Sequence, residues 1–259
     1  MTVVLVHGNP ETEAVWAPLR AELGRDDVVC LSPPGFGAPI PPDFGATVLE
    51  YRDWLIGELE NFGEPVDLVG HDWGGGHVVN VAMTRPDLLR SWASDAVGLF
   101  APDYVWHPLA QIWQTPEERE RAVAVFSAPF AERVDLFVQR GNDREIAEVL
   151  AAEMAAEMAA AVLPLYRSAA QPVMAQLGQG LAGAARRPGL CLVATADQFT
   201  GSVELRTRAA ATAGARVVVL EGLGHWWMLQ DPGQGARALT EFWAQVSTPG
   251  GPGGTGRAS

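Results

Sequence analysis

The chain has 259 residues, 48% of them hydrophobic, and a formal net charge of −13. That length suits one α/β domain with a sizeable core, and the charge disfavours nucleic acid or an anionic membrane as a partner. No apolar run reaches membrane-spanning length and no charged-then-apolar leader precedes Val3, so a soluble cytoplasmic protein is expected.

Apolar segments at roughly 2–6, 27–31, 66–70, 91–97, 190–195 and 216–220 read as strands alternating with helical patterns, as a parallel sheet requires. The first strand runs into His7-Gly8-Asn9-Pro10, and Pro33 to Gly37 with Pro39 to Pro42 marks a loop. A helix over 47–62 carries Val48, Tyr51, Leu55, Leu59 and Phe62 as one apolar stripe. Cys30 and Cys191 both fall in strands and are expected to be buried thiols, not a disulfide.

Strand 66–70 is followed by Gly70-His71-Asp72-Trp73-Gly74-Gly75-Gly76 and then a helix-like run, His77 to Met83. Strand, glycine-flanked residue and helix form the layout of a nucleophile elbow, in which a sharp turn lifts one side chain above the sheet. Here that residue is Asp72. A carboxylate is already ionised at neutral pH and suits displacement at a saturated carbon, giving an enzyme ester that water must cleave. Epoxides and alkyl halides are substrates of that kind.

From about 101 to 187 the sequence holds helical stretches without convincing strands. Arg144 to Leu163 reads as one helical stretch containing the echo Ala-Ala-Glu-Met at 151–154 and 155–158. The strand at 190–195 then leads into Asp197, and the one at 216–220 into Glu221-Gly222-Leu223-Gly224-His225. Asp72, Asp197 and His225 are therefore all expected beyond the carboxyl ends of strands, where ligand sites of open α/β sheets gather. His225 would take a proton from the water that attacks the ester, and Asp197 would orient its ring. Asp95, near the end of the 91–97 strand, is the rival acid. The backbone N–H groups of Asn9 and Trp73 are candidates for an oxyanion hole. The Gly/Pro-rich tail, Thr248 to Ser259, is expected to be disordered.

Val3 to Pro10 together with Gly70 to Gly75 resembles the α/β-hydrolase superfamily, in its epoxide hydrolase and haloalkane dehalogenase branch. The resemblance covers residues 2 to about 100 and about 188 to 245. It implies an α/β-hydrolase fold: a mostly parallel sheet flanked by helices, with core 1–100 and 188–247 and a helical lid at 101–187. The family usually has two further strands before the His-Gly-x-Pro strand, so a reduced sheet or a late chain start is expected.

In dehalogenases of this kind the equivalents of the Asn9 amide and the Trp73 indole clamp the departing halide. Leu163-Pro164-Leu165-Tyr166-Arg167 resembles the end of the epoxide hydrolase lid, where a tyrosine protonates the opening ring. Tyr166 is the lid acid candidate and Tyr104 its possible partner. The resemblance points to an epoxide hydrolase acting on an apolar or aromatic epoxide, with haloalkane dehalogenase as the alternative and a non-hydrolytic biosynthetic protein of this fold as a third. Most of Tyr104, Trp106, Trp113, Phe126, Phe130 and Phe137 should pack the lid, a few lining the pocket. His7 and His71 should support their turns and His77 should lie on a helix face, while His107 has no assignment. No cofactor or metal is implied, and the partner expected is a small apolar substrate.

Overall fold

Val- and Leu-rich segments supply five of the six strands, β-branched and aliphatic side chains being suited to a pleated surface; the exception, Leu89–Ser94, is Leu-Arg-Ser-Trp-Ala-Ser. The structure, a computed structural model, describes residues 1–115, 117 and 123–247; the tail from Thr248 to Ser259 lies outside the described residues. Strands β1 (Val3–Val6), β2 (Val28–Leu31), β3 (Val66–Gly70), β4 (Leu89–Ser94), β5 (Gly189–Ala194) and β6 (Ala215–Leu220) form one sheet in the order β2-β1-β3-β4-β5-β6. All neighbours pair in parallel. Every residue of β1, β3 and β5 is buried. Because alternate strand residues point to opposite faces, both faces must be covered, as parallel sheets demand.

The chain runs outward from β1 to β2 and then returns to β3 on the other side of β1. That reversal opens a crevice at the carboxyl ends of β1 and β3, the usual ligand position in such sheets. Val6 pairs with both Leu31 and Gly70, and Gly70 with Ser94, so four strand ends are level there. The segment expected to end at 97 leaves the sheet after Ser94. The Ala96 N–H bonds to the Ser94 hydroxyl, and Val97–Phe100 coils into a 3-10 turn.

Helices α1 (Ala17–Leu23), α2 (Val48–Glu60) and α3 (Asp72–Thr84) belong to the sheet layers. A capping box between Thr47 and Glu50 starts α2, satisfying backbone donors that the helix itself cannot. Val48, Tyr51, Leu55 and Leu59 are buried as the periodicity predicts. Phe62 falls past the helix end and is half-buried, because the Asn61 N–H turns back to Glu58 and Gly63 takes φ 71°.

Between β4 and β5 the described residues hold only helices and turns, including Pro108–Gln114, Phe130–Val138, Arg144–Glu153 and Ala159–Ser168. The single helical stretch expected over Arg144 to Leu163 breaks at Met154 and Ala155, which are extended. Arg133 donates to the freed Met154 carbonyl, and Met154 and Met158 are both buried. The Ala-Ala-Glu-Met echo thus straddles two elements. Cys30 and Cys191 are free thiols, Cys191 buried but Cys30 only half-buried on the edge strand β2. No helix among the described residues is long and apolar enough to cross a membrane.

Candidate active site

β3 ends at Gly70 and α3 begins at Asp72, leaving His71 alone to reverse the chain. Asp72 absorbs the turn at φ +50°, a left-handed conformation that non-glycine residues seldom adopt and that marks a constrained position. Gly74 lets the elbow sit against β1: a Cβ there would lie 2.2 Å from the Val6 carbonyl oxygen. The Asp95 carboxylate pins the turn, its Oδ1 accepting the Asp72 N–H at 2.9 Å.

The two oxygens of Asp72 have different surroundings. Oδ2 accepts the Asn9 N–H at 3.2 Å, and the Trp73 N–H also bonds to this carboxylate. Oδ1 lies 3.6 Å from His225 Nε2. The other ring nitrogen of His225, Nδ1, lies 3.2 Å from Asp197 Oδ1. Asp197 also accepts from the Phe199 N–H at 2.8 Å and the Thr200 hydroxyl at 2.7 Å, with the buried Arg206 guanidinium 3.8 Å away. Burial alone would raise the Asp197 pKa, but His225 and these donors hold it well below the usual range. Burial likewise works to lower His225, and the Asp197 charge outweighs it, so the net shift is upward. Asp72 is raised because burial outweighs the attraction of His225 and His71.

Asp95, the rival acid, does not face His225. Its Oδ2 accepts from His71 Nδ1 at 2.6 Å and from the Trp227 indole at 2.8 Å. His71 is held from the other side by Glu11, whose Oε1 takes Nε2 at 3.1 Å and the Trp226 indole N–H at 2.7 Å. Burial opposes a charge on His71, yet the two carboxylates raise its pKa well above the ordinary value. The Glu11, His71 and His225 donor atoms lie within 4.8 Å of one another. Both His71 nitrogens face carboxylates, as an imidazolium's would, which leaves no lone pair for a metal.

A narrow cavity of about 30 Å³ opens above Asp72 and His225. Asn9, Tyr166, Trp113 and Phe137 line it. The side-chain amide of Asn9 is buried without a partner. Tyr166 is buried among Trp73, Trp106 and Trp113, with ring centroids 5.4, 5.5 and 4.7 Å away. The Trp73 side chain hydrogen-bonds to the Tyr166 oxygen, and burial with the nearby Asp72 charge keeps the phenol protonated. Tyr104, the suggested partner, instead gives its proton to the Phe199 carbonyl at 2.7 Å and is not among the residues lining this cavity. Trp106 and Phe126 are packed, whereas Phe130 is exposed.

Residues 3–238 match the model of the alpha/beta hydrolase family. This chain belongs to the alpha/beta hydrolase family. It is 33% identical over 155 residues to a Mycobacterium tuberculosis (strain H37Rv) protein named "Probable oxidoreductase EphD", a match covering 49% of this chain and 24% of that one. The chain thus spans about a quarter of the length of that relative. Its fold is shared by solved structures of other proteins. The haloalkane dehalogenase DbeA from Bradyrhizobium elkani has a TM-score of 0.69 at 22% identity, over 95% of this chain and 90% of that one. A thermophilic esterase from Thermogutta terrifontis, malate bound, has a TM-score of 0.74 at 24% identity, over 96% and 91%.

The remaining histidines of this hydrolase have local tasks. His7 Nδ1 donates to the Gly8 carbonyl at 2.8 Å. His77 stacks on Tyr51, centroids 4.9 Å apart, and burial lowers its pKa to about 3. His107 caps Pro108–Gln114, its Nδ1 accepting the Ala110 N–H at 3.2 Å. Sequence reasoning missed Glu11 and Arg140, the second of which lines the cavity. An acid directly after His-Gly-x-Pro was a weak signal for Glu11, and nothing local in the sequence distinguishes Arg140 from the other arginines.

Proposed function

We propose that this hydrolase forms an alkyl ester on Asp72 and then cleaves it with water, and that its substrates are epoxides. The observation that carries the ester chemistry is the division of labour at the Asp72 carboxylate. Oδ1 is free to attack carbon, while Oδ2, on the Asn9 N–H, becomes the ester carbonyl oxygen, with the Trp73 N–H also bonded to this carboxylate. His225 then removes a proton from water attacking Cγ, the same two N–H groups hold the oxyanion, and Asp197 stabilises the imidazolium. Collapse expels the product alkoxide, which takes the proton from His225.

Tyr166 favours epoxide opening. Carbon–oxygen cleavage leaves an alkoxide that needs a proton, and Tyr166 lines the cavity with its phenol protonated. The phenolate recovers it from the Asp72 carboxylic acid left after hydrolysis, so epoxide plus water gives a diol. The inserted helices between β4 and β5 act as a lid that keeps bulk water from the ester. Haloalkane dehalogenation is the second reading, supported by the unpartnered buried amide of Asn9, a neutral donor suited to a leaving halide.

The test is to trap the ester. His225→Phe, exposed to pooled epoxides and haloalkanes, is expected to gain on Asp72 the full mass of an epoxide, read by intact and peptide mass spectrometry. An adduct lighter than its haloalkane by hydrogen halide would move the assignment to dehalogenation. Absence of any adduct from either pool would count against both.

A further inference from the structure

The chain carries 31 acidic residues against 18 basic ones, so an acid-free cavity with a cation in its wall needs a reason. Arg140 stands just past helix Phe130–Val138 and lines two adjoining spaces. One is the inner cavity containing Asp72; the other is a wider outer cavity that shares His107, Phe199 and His225 with it. No Asp or Glu among the described residues lines the outer cavity, and Asp72 alone lines the inner one.

Arg140 is half-buried and makes no ion pair with any described carboxylate, unlike Arg85, Arg90 and Arg208. Its guanidinium lies over the Phe137 ring, 5.7 Å from the centroid. Burial lowers its pKa to about 10, which still leaves it charged at neutral pH. A desolvated cation without a counter-charge is unfavourable unless a ligand supplies one.

The neighbouring groups are donors. His107 Nδ1 accepts the Ala110 N–H, so its hydrogen is on Nε2, and burial lowers its pKa to about 4, keeping the ring neutral. Gln230 uses its carbonyl oxygen to accept the Gly224 N–H at 2.6 Å, leaving its amide N–H groups for the outer cavity that it lines.

We propose that Arg140, with the N–H groups of His107 and Gln230 in the same wall, binds a substrate carboxylate. The substrate would then have its electrophilic carbon over Asp72 and a carboxylate at its far end. A planar guanidinium backed by an aromatic ring suits a carboxylate's two oxygens better than a point charge would. The substrate class named here rests on the reading of Asp72 as the group that is alkylated.

Calorimetric titration of the full chain with 4-phenylbutyrate, and with its neutral amide, tests the subsite. Neither compound can alkylate Asp72. The acid is expected to bind at least about tenfold more tightly than the amide, and more weakly as salt rises from about 50 to about 500 mM. Arg140→Gln should bring the acid down to the amide's affinity, while Arg140→Lys keeps part of the preference; thermal melts identify any variant that fails to fold. Equal binding of acid and amide, a preference that survives Arg140→Gln, or no measurable acid binding at millimolar concentration would each overturn the proposal. Acid binding through Arg140 without any trapped ester would remove the alkylation reading and leave the subsite standing.

Discussion

At the scale of single residues, the proposed chemistry is divided among Asp72, His225 and Tyr166 by charge state. His225 acts as a base only when neutral, and the Asp197 charge raises its pKa above the ordinary 6.5. Hydrolysis of the Asp72 ester is therefore expected to slow as pH falls through that raised value, while ester formation, which needs no base, continues. Rapid-quench measurement of ester accumulation between about pH 5 and 9 checks this, with more ester at the acid end. Tyr166→Phe removes the proton donor but keeps the ring that packs against Trp113. Epoxide turnover should fall by about 100-fold or more, while turnover of a matched haloalkane changes little. Steady-state rates on the pair decide it, and equal losses would reduce Tyr166 to packing.

At the scale of elements, the site depends on how closely the turn after β1 approaches the start of α3. A Cβ on Gly8 would lie 2.4 Å from Asp72 Cβ and 2.5 Å from Oδ2. Gly8→Ala should push the carboxylate off the Asn9 N–H at a stability cost of about 1–3 kcal/mol, typical of overpacking. Ester trapping in the His225→Phe background should then fail although the variant still unfolds cooperatively in urea. A second element-scale effect concerns α2, whose Val48 N–H bonds to Ser168 of the inserted helices at 2.9 Å. Thr47→Ala deletes the capping box and should cost about 1 kcal/mol in urea unfolding, with catalysis unaffected.

Across the whole molecule, the buried set Glu11, His71, Asp95, Trp226 and Trp227 ties the β1 turn, the elbow, the end of β4 and the His225 loop together. His71 has its folded pKa raised above 6.5, so its contribution is fully present below 6.5 and is lost as pH rises through the folded value. Glu11 has its folded pKa lowered from 4.5, so its contribution is present above 4.5 and is lost as pH falls through the folded value. Urea unfolding of the wild type should therefore weaken towards alkaline pH. His71→Gln should cost about 3–5 kcal/mol at neutral pH, because two buried carboxylates lose their counter-charge, and should flatten the alkaline decline.

What could be read from the sequence was local. Strand periodicity and the glycine spacing around Asp72 located all six strands and the elbow, because those patterns repeat over a few residues. Asp197 and His225 were legible for the same reason, each following an apolar strand at its carboxyl end. The contacts that arrange the site are not local: His71 meets Glu11 across 60 positions, and Trp226 meets Glu11 across 215. Only the packed structure could decide that Asp197, not Asp95, lies against His225, or that Tyr104 gives its proton to Phe199 while Tyr166 faces the cavity. The break at Met154 was equally hidden, as was the charge of Arg140, which pairs with no described carboxylate. Periodicity reports which face of one element is apolar, whereas partner choice among buried polar groups depends on which elements meet.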